Sequence, residues 1–321
     1  MRFVVFGAGA IGGVVGARLH QAGFAVSLIA RGEHRDAIRR AGLTLVTPEE
    51  HTVLEIPVAG GPAEVGWTGE DVVLLATKSQ DTLGALTDLR AAAGPTVPVV
   101  CLQNGVENER LALRLVDSVY GAVVMCPAAH LQAGVVEAYT TTVTGMIDIG
   151  RYPDGVDARC EDVCAALEGA RFDSHPTPDV MRLKHAKLLL NLANVVHALF
   201  GPGDASDEVT ERAQAEARAV LTAAGVAFVA DEVTDIRGRW ERMGVRDIEG
   251  RARAGSSTWQ SLSRGTALET DYLNGEIVLQ GRLHGVPTPV NELLCRRAWE
   301  AVQERRAPGS LDPGDVLAVA A

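Results

Sequence analysis

At 321 residues the chain is long enough for two domains, and its 47% hydrophobic and 22% charged content is that of a folded globular protein, not a disordered one. A net charge of −11 with no Lys/Arg-rich run lacks the local positive surface that neutralises phosphates, so no nucleic-acid partner is expected. The five cysteines, Cys101, Cys126, Cys160, Cys164 and Cys295, form no CxxC pair and no Cys/His cluster of zinc spacing. That pattern predicts free thiols in a reducing compartment and no metal centre. The apolar opening Phe3–Phe6 is too short for a signal peptide, and no apolar run has the length of a bilayer span. A cytoplasmic chain without a membrane partner is the expectation.

In chain order, Arg2–Phe6 reads as a short strand and Ala10–Ala22 as a helix stopped by Gly23. Ala25–Ala30 reads as a second strand and His34–Ala41 as a short helix closed by Gly42. Leu43–Val46 and Val53–Val58, punctuated by Pro48 and Gly60–Pro62, predict a hairpin or meander. Asp71–Thr77 and Val97–Leu102 are apolar enough for buried parallel strands, with the helical pattern Thr82–Ala92 between them. Val119–Met125, Val135–Thr141 and Met146–Ile149 continue as strands. Beyond Pro176–Pro178 the patterns become helical: Asp179–Phe200, Glu208–Ala224, Asp231–Met243 and Ala267–Leu283, with Gly225, Gly244 and Gly285 as stops. The tail from Pro308, rich in small residues, Gly and Pro, reads as loosely held. Strands alternating with helices and then helices alone predict an α/β protein. A Rossmann-type doubly wound sheet over 1–176 precedes an all-helical domain over 177–321.

Residues 7–12 read GAGAIG, directly after a strand and opening a helix. Gly7 suits a tight turn, Gly9 lets the backbone approach a pyrophosphate, and Gly12 permits helix and strand to pack closely. Ala10, Ile11 and Gly12 open the helix, whose unpaired N–H groups and partial positive charge favour phosphate. The second strand bears on which dinucleotide is bound. Where a carboxylate would hold a ribose 2′-hydroxyl, this chain has Arg31, and a guanidinium can grip a 2′-phosphate that a carboxylate would repel. Lys78, after the Asp71–Thr77 strand, offers a second cation. The cofactor expected is NADP(H). Arg31 alone would also suit a solvated loop; His34 and Arg35 lie close enough to help it, and read first as exposed helix residues.

Several segments together resemble one family. GAGAIGG at the N-terminus, VVLLATKSQDT at 72–82, LQNGVEN at 102–108, KLLLN at 187–191 and SSTWQS…ETDYLNG at 256–275 fall in the order found in ketopantoate reductases, also called 2-dehydropantoate 2-reductases. The similarity runs to about Val302. It implies an NADPH-binding Rossmann domain, a helical second domain, an active site in the cleft between them and, by resemblance alone, a homodimer. The family reduces a 2-oxo acid, ketopantoate, to pantoate, a precursor of coenzyme A. By position, Lys187 matches the general acid and Asn191 a substrate-binding Asn. Asn104 matches the residue between nicotinamide and substrate, Ser257 a ligand of the substrate carboxylate, and Glu269 a carboxylate supporting the lysine. Arg31 and Lys78 match the 2′-phosphate site.

The residue types suit that chemistry. Hydride delivery to a ketone builds charge on oxygen that a cationic lysine can stabilise and protonate, while neutral Asn and Ser hold the substrate without competing for the proton. Each also has a plainer role: a helical lysine is commonly a snorkelling surface residue, Glu269 would suit a first helical turn, and Ser256 or Ser257 an N-cap. His130 and His197 read as packed histidines, and Trp240 and Trp259 as packing residues.

The pattern departs from the family on the substrate side. A second family Asn is replaced by Val195, with Asn194 one position earlier. On a continuous helix Asn194 would lie roughly 20° to one side of Lys187 and Val195 about 80° to the other. Gln260-Ser261 stands where the family often has Gln-Asp, and Arg264–Leu268 is altered too. The expected activity is therefore NADPH-dependent reduction of a 2-oxo acid, with ketopantoate first among substrates. The alternatives are a relative acting on another small ketone or imine, or a non-catalytic NADP(H)-binding redox sensor.

Overall fold

The apolar run ahead of the glycine turn, β1 (Arg2–Phe6), is buried at every residue after Arg2, as befits a strand with neighbours on both sides. Helix α1 (Ala10–Gln21), β2 (Ala25–Ile29) and α2 (Gly32–Ala41) follow, then the antiparallel hairpin β3 (Leu43–Val46) and β4 (His51–Leu54). Next come β5 (Val58–Ala59), β6 (Asp71–Leu75), α3 (Thr82–Ala93), β7 (Val99–Cys101), α4 (Asn108–Leu113) and β8 (Val119–Met125). The short β9 (Ala128–Ala129), then β10 (Val135–Ala138), β11 (Gly145–Arg151), α5 (Ala158–Gly169) and β12 (Phe172–Asp173) complete the α/β part. Described are residues 1–228, 238–251 and 255–318 of this computed structural model.

The larger sheet runs β12-β11-β8-β7-β6-β1-β2-β5. From β5 to β8 all pairings are parallel, and the order is that of a doubly wound dinucleotide-binding sheet, reversing direction between β1 and β6. A smaller sheet, β4-β3-β10-β9, covers the far side of α1. Helix α1 is therefore buried on two faces, and its glycines show it. A Cβ on Gly12 would lie 2.9 Å from Val5 and Ala76, and one on Gly16 2.8 Å from Leu28, both against the large sheet. One on Gly13 would meet Val136 of the small sheet at 2.6 Å. The expected run Val53–Val58 divides because Pro57 cannot donate to a ladder. Its first half pairs with β3, and Val58–Ala59 crosses to the edge beside β2. Helix α5 has no counterpart in the sequence reading, although its start is signalled by Asp157, whose side chain accepts from Cys160 N–H at 3.0 Å.

The helices of the remainder are α6 (Val180–Asn191), α7 (Ala193–Phe200), α8 (Asp204–Ala223), α9 (Ser257–Ser263), α10 (Asn274–His284), α11 (Pro289–Gln303) and α12 (Gly314–Leu317). Their core gathers Val195, Val196, Leu199, Val209, Leu262 and Leu294. Three expectations change. The single helix over Asp179–Phe200 is interrupted at Leu192. The helix over Ala267–Leu283 begins only at Asn274, because Leu273 (φ −115°, ψ −87°) is non-helical and Thr270–Tyr272 is a 3-10 turn. The tail is docked: Gly309 and Leu311 N–H donate to Ala198 and Leu199 at 2.9 and 3.0 Å, and Val316 is buried in the core. Of the pattern Asp231–Met243, residues 238–242 are helical and 231–237 lie outside the described residues. No helix among the described residues is long and apolar enough to cross a membrane.

The chain divides into two units. The first holds Met1–Met181 with the described part of Asp235–Arg253, and the second holds the described parts of Arg182–Thr234 and Ala254–Ala321. Residues 177–181 and 238–251, which a boundary at 176/177 would assign to the helical half, thus group with the sheets. The later segment is fastened there by buried charge. Arg239 pairs with Asp148 and reaches Asp173 at 2.9 Å, Arg251 pairs with Glu137, and Arg246 N–H donates to the Tyr139 carbonyl at 2.9 Å. Removing Arg239 would leave Asp148 buried without its cation. Arg239→Ala is expected to cost about 3 kcal/mol of stability in urea denaturation, and adding Asp148→Asn should recover part of it.

Candidate functional site

Four candidate residues follow four neighbouring parallel strands. Gly7 comes after β1, Arg31 after β2, Lys78 after β6 and Asn104 after β7. The registers pair Phe6 with both Ile29 and Leu75, and Leu75 with Cys101. The four loops therefore share the carboxyl edge of the sheet, at the point where strand order reverses and such sheets bind ligands.

The glycine turn is built from two opposite constraints. Gly7 has φ +104°, and a Cβ there would lie 2.8 Å from the Ala76 carbonyl carbon and the Thr77 nitrogen. It is glycine because the turn is left-handed and crosses the end of β6 at close range. Gly9 has nothing within 4 Å of a Cβ position, so its open side is free for a ligand's approach. No side chain caps α1, whose first N–H groups, at Ala10, Ile11 and Gly12, point out of the helix. An uncapped helix start beside an open glycine fits a pyrophosphate.

Arg31 is exposed and is the N-cap residue of α2. Its side chain makes no ion pair or hydrogen bond among the described residues, whereas Arg35 and Arg39 on the same helix pair with Asp36 and Glu64. An exposed guanidinium without a carboxylate partner fits a 2′-phosphate. Lys78 is half-buried and immediately precedes the 3-10 turn Ser79–Asp81. His34 is not the exposed helix residue the sequence suggested. Its Nε2 lies 2.7 Å from the Ala8 carbonyl oxygen inside the glycine turn, its Nδ1 accepts from Gly134 N–H at 2.9 Å, and its ring packs 4.0 Å from that of His130.

Asn104 is held by a buried polar network that sequence reasoning did not identify. Asn108 donates to the Asn104 carbonyl at 2.9 Å and to Ser79 Oγ at 3.2 Å, and accepts from Thr82 Oγ1 at 2.8 Å. Gln103 donates to Thr82 Oγ1 at 2.9 Å and to Thr77 Oγ1 at 3.4 Å. The loops carrying Lys78 and Asn104 are thereby joined across the strand ends. The spacing of Asn104 and Asn108 was the available signal.

In the second unit, Lys187 and Asn191 lie one turn apart on α6 and are 8% and 9% exposed. A lysine this buried is not a snorkelling surface residue. Lys184 is buried one turn earlier on the same face, a second cation that the K-x2-K-x3-N spacing could have revealed. Leu192 keeps helical dihedrals (φ −61°, ψ −28°), so Asn194 and Val195 still point to different sides of the axis. Val195 packs in the apolar core, and Asn194 turns to Asn191, its Nδ2 3.5 Å from Asn191 Oδ1. Ser256 is the N-cap of α9: its hydroxyl accepts from Trp259 N–H at 3.3 Å and lies 3.5 Å from the Asn194 carbonyl oxygen. Ser257, next along, is exposed, and its hydroxyl makes no hydrogen bond among the described residues. Ser261, at the departed Gln-Asp position, is buried and donates to the Ser257 carbonyl at 2.9 Å.

Glu269 is half-buried and precedes the 3-10 turn, not a helix. The joint behind it is pinned by Asn274, which donates to Asn291 at 3.0 Å. Asn291 in turn donates to Glu216 at 2.7 Å. Asn194 meets Asn191 one turn beyond Lys187, Ser257 lies next to the Ser256 cap that reaches the Asn194 carbonyl, and Glu269 precedes the joint at Asn274 in the same unit.

The last two glycines of the turn should separate experimentally. Gly12→Ala forces a Cβ against Ala76 and Val5 and should lower the melting temperature. Gly9→Ala should leave melting unchanged and weaken dinucleotide binding about tenfold, followed by fluorescence titration.

Residues 3–154 match the family described as ketopantoate reductase PanE/ApbA, and residues 179–299 match its C-terminal part. The chain is 31% identical over 308 residues to the 2-dehydropantoate 2-reductase of Halobacterium salinarum, covering 92% of this chain and 97% of that one. It is 27% identical over 317 residues to the Pyrococcus horikoshii protein of the same name, covering 96% and 99%. Among solved structures it is similar to a PanE/ApbA family ketopantoate reductase from Ralstonia eutropha JMP134, with TM-score 0.81, 30% identity, and 95% and 100% coverage. With a doubly wound sheet, an open glycine cradle and a buried lysine on a helical unit, the chain belongs to the ketopantoate reductase family of oxidoreductases.

Proposed function

We propose that the chain reduces a 2-oxo acid to the 2-hydroxy acid with NADPH, and that 2-dehydropantoate is its substrate. The observation that carries this reading is the buried Lys187 with Asn191 one turn on, in a chain whose sheet edge also presents the open cradle at Gly9 and the Arg31 guanidinium, which has no partner among the described residues. The names of the relatives from Halobacterium and Pyrococcus support the substrate.

The residues divide the work. Gly7, Gly9, Ala10, Ile11 and Gly12 hold the pyrophosphate, and Arg31 and Lys78 hold the 2′-phosphate. Bound NADPH supplies the hydride. Asn104, kept in place by Asn108, orients the carbonyl toward the nicotinamide. Lys187 stabilises the alkoxide oxygen as it forms and donates the proton that completes the hydroxyl. A cation removed from water is worth more to a developing oxyanion than a solvated one. Asn191 and Asn194 bind the substrate through neutral amides, Ser257 takes the carboxylate through its exposed hydroxyl, and Glu269 orients the lysine. Asn194 takes the place of the missing family Asn, since Val195 is spent on the core.

Oxidation of NADPH with a panel of 2-oxo acids, followed by absorbance, tests the activity, and 2-dehydropantoate is expected to give the highest kcat/KM. A faster turnover of another 2-oxo acid would overturn the substrate assignment and leave the reaction class standing. Lys187→Ala is expected to lower kcat by 10²-fold or more, on the order expected for a positioned general acid, with NADPH affinity unchanged. Equal loss of both would remove Lys187 as the acid. Arg31→Ala should weaken NADPH about tenfold or more while sparing NADH; parallel losses would make Arg31 structural.

A further inference from the structure

Helix α2 carries Arg31 at its start, yet packing holds it weakly. It buries one side chain, Ile38, and no side chain caps its N-terminus. What fastens its first turn is His34, three residues beyond Arg31. The Ala8 carbonyl can only accept and the Gly134 N–H can only donate, so a ring bridging the two is neutral with its proton on Nε2. Burial, and next the adjacent His130, push the His34 imidazole down to about 4, so this form persists across the neutral range. The anchor at Gly134 is itself tied down, because its carbonyl accepts from Thr44 N–H of β3 at 2.8 Å.

We propose that His34 is a positioning residue for cofactor selection, holding the Arg31-bearing turn of α2 in a fixed setting against the phosphate turn. The inference rests on Arg31 taking the 2′-phosphate. The glycine turn does not need His34 for its own position, since Gly7 and Ala8 N–H both donate to the Ile29 carbonyl at 3.1 Å. Loss of the imidazole therefore frees α2 and the reach of Arg31, while the pyrophosphate cradle stays in place. The consequence is selective: a ligand bearing a 2′-phosphate is weakened, and one lacking it is not.

The test is fluorescence titration of the full chain with NADPH and with NADH, for wild type, R31A, H34L, H34Q and R31A/H34L. Adenosine 2′,5′-bisphosphate, by calorimetry, probes the phosphate site alone, and thermal unfolding monitors folding. H34L is expected to weaken NADPH and the bisphosphate about tenfold and NADH less than about twofold. H34Q, whose amide can donate to Ala8 and accept from Gly134, should restore most of the loss, and H34L should add nothing in the R31A background. H34A carries the same expectation should the leucine variant not fold. Equal losses for the two cofactors, unchanged NADPH affinity in H34L, or a loss that persists without Arg31 would each overturn the proposal. Wild type binding both cofactors equally, with R31A silent, would remove the Arg31 reading and this inference with it. Clear wild-type preference for NADPH with a silent H34L would remove the His34 assignment alone.

Discussion

The first unit depends on one close approach, the crossing of the Gly7 backbone over the end of β6 at Ala76 and Thr77. A side chain at Gly7 would lie 2.8 Å from that backbone, so the turn exists only as glycine. Because the turn is tight, α1 starts immediately and lies back against the sheet with Gly12 and Gly16 on β1 and β2. Because α1 lies there, the small sheet can close over Gly13. The arrangement that creates the ligand edge is thus also what buries α1 from Gly12 to Leu19. Function and core share the same atoms.

Polar groups then set the loops on that edge, and they do so by complete hydrogen bonding. Asn108 satisfies both amide hydrogens and its oxygen while joining two loops, and His34 satisfies both ring nitrogens while joining a helix to a turn. Buried polar groups with every partner made are rigid, because any displacement costs desolvation without return. In the second unit Asn274 and Asn291 form a buried chain to Glu216 behind the joint that carries Glu269, with the Asn274 side-chain oxygen left without a described partner. Arg31 and Ser257 are the contrast. Both are exposed side chains without described partners, and both are assigned to the ligand.

Much of the first unit was legible because its signals are local. The strand patterns of β1, β3 and β8 and the glycine stops after α1 and α2 need only neighbouring residues to form, and they appear where the sequence places them. Helices α5 and α11 were equally local and were overlooked, since Asp157 caps the one and Thr288-Pro289 opens the other. The docked tail was misread for a different reason. Leu311 and Val316 look unremarkable among small residues until a core is present to receive them.

What the sequence determined by itself is the set of residues whose role follows from their own chemistry and near neighbours: the glycine turn, the cation in place of a carboxylate at Arg31, and the order of segments that marks the family. Tertiary structure decided the rest. It turned Asn194 to Asn191 and Val195 to the core. It buried Lys184 beside Lys187, returned residues 238–251 to the sheets, and drew His34 inward to the Ala8 carbonyl. Each of these depends on partners many residues away, and a hydrogen bond or apolar contact has no sequence signature until the chain has brought its two ends together.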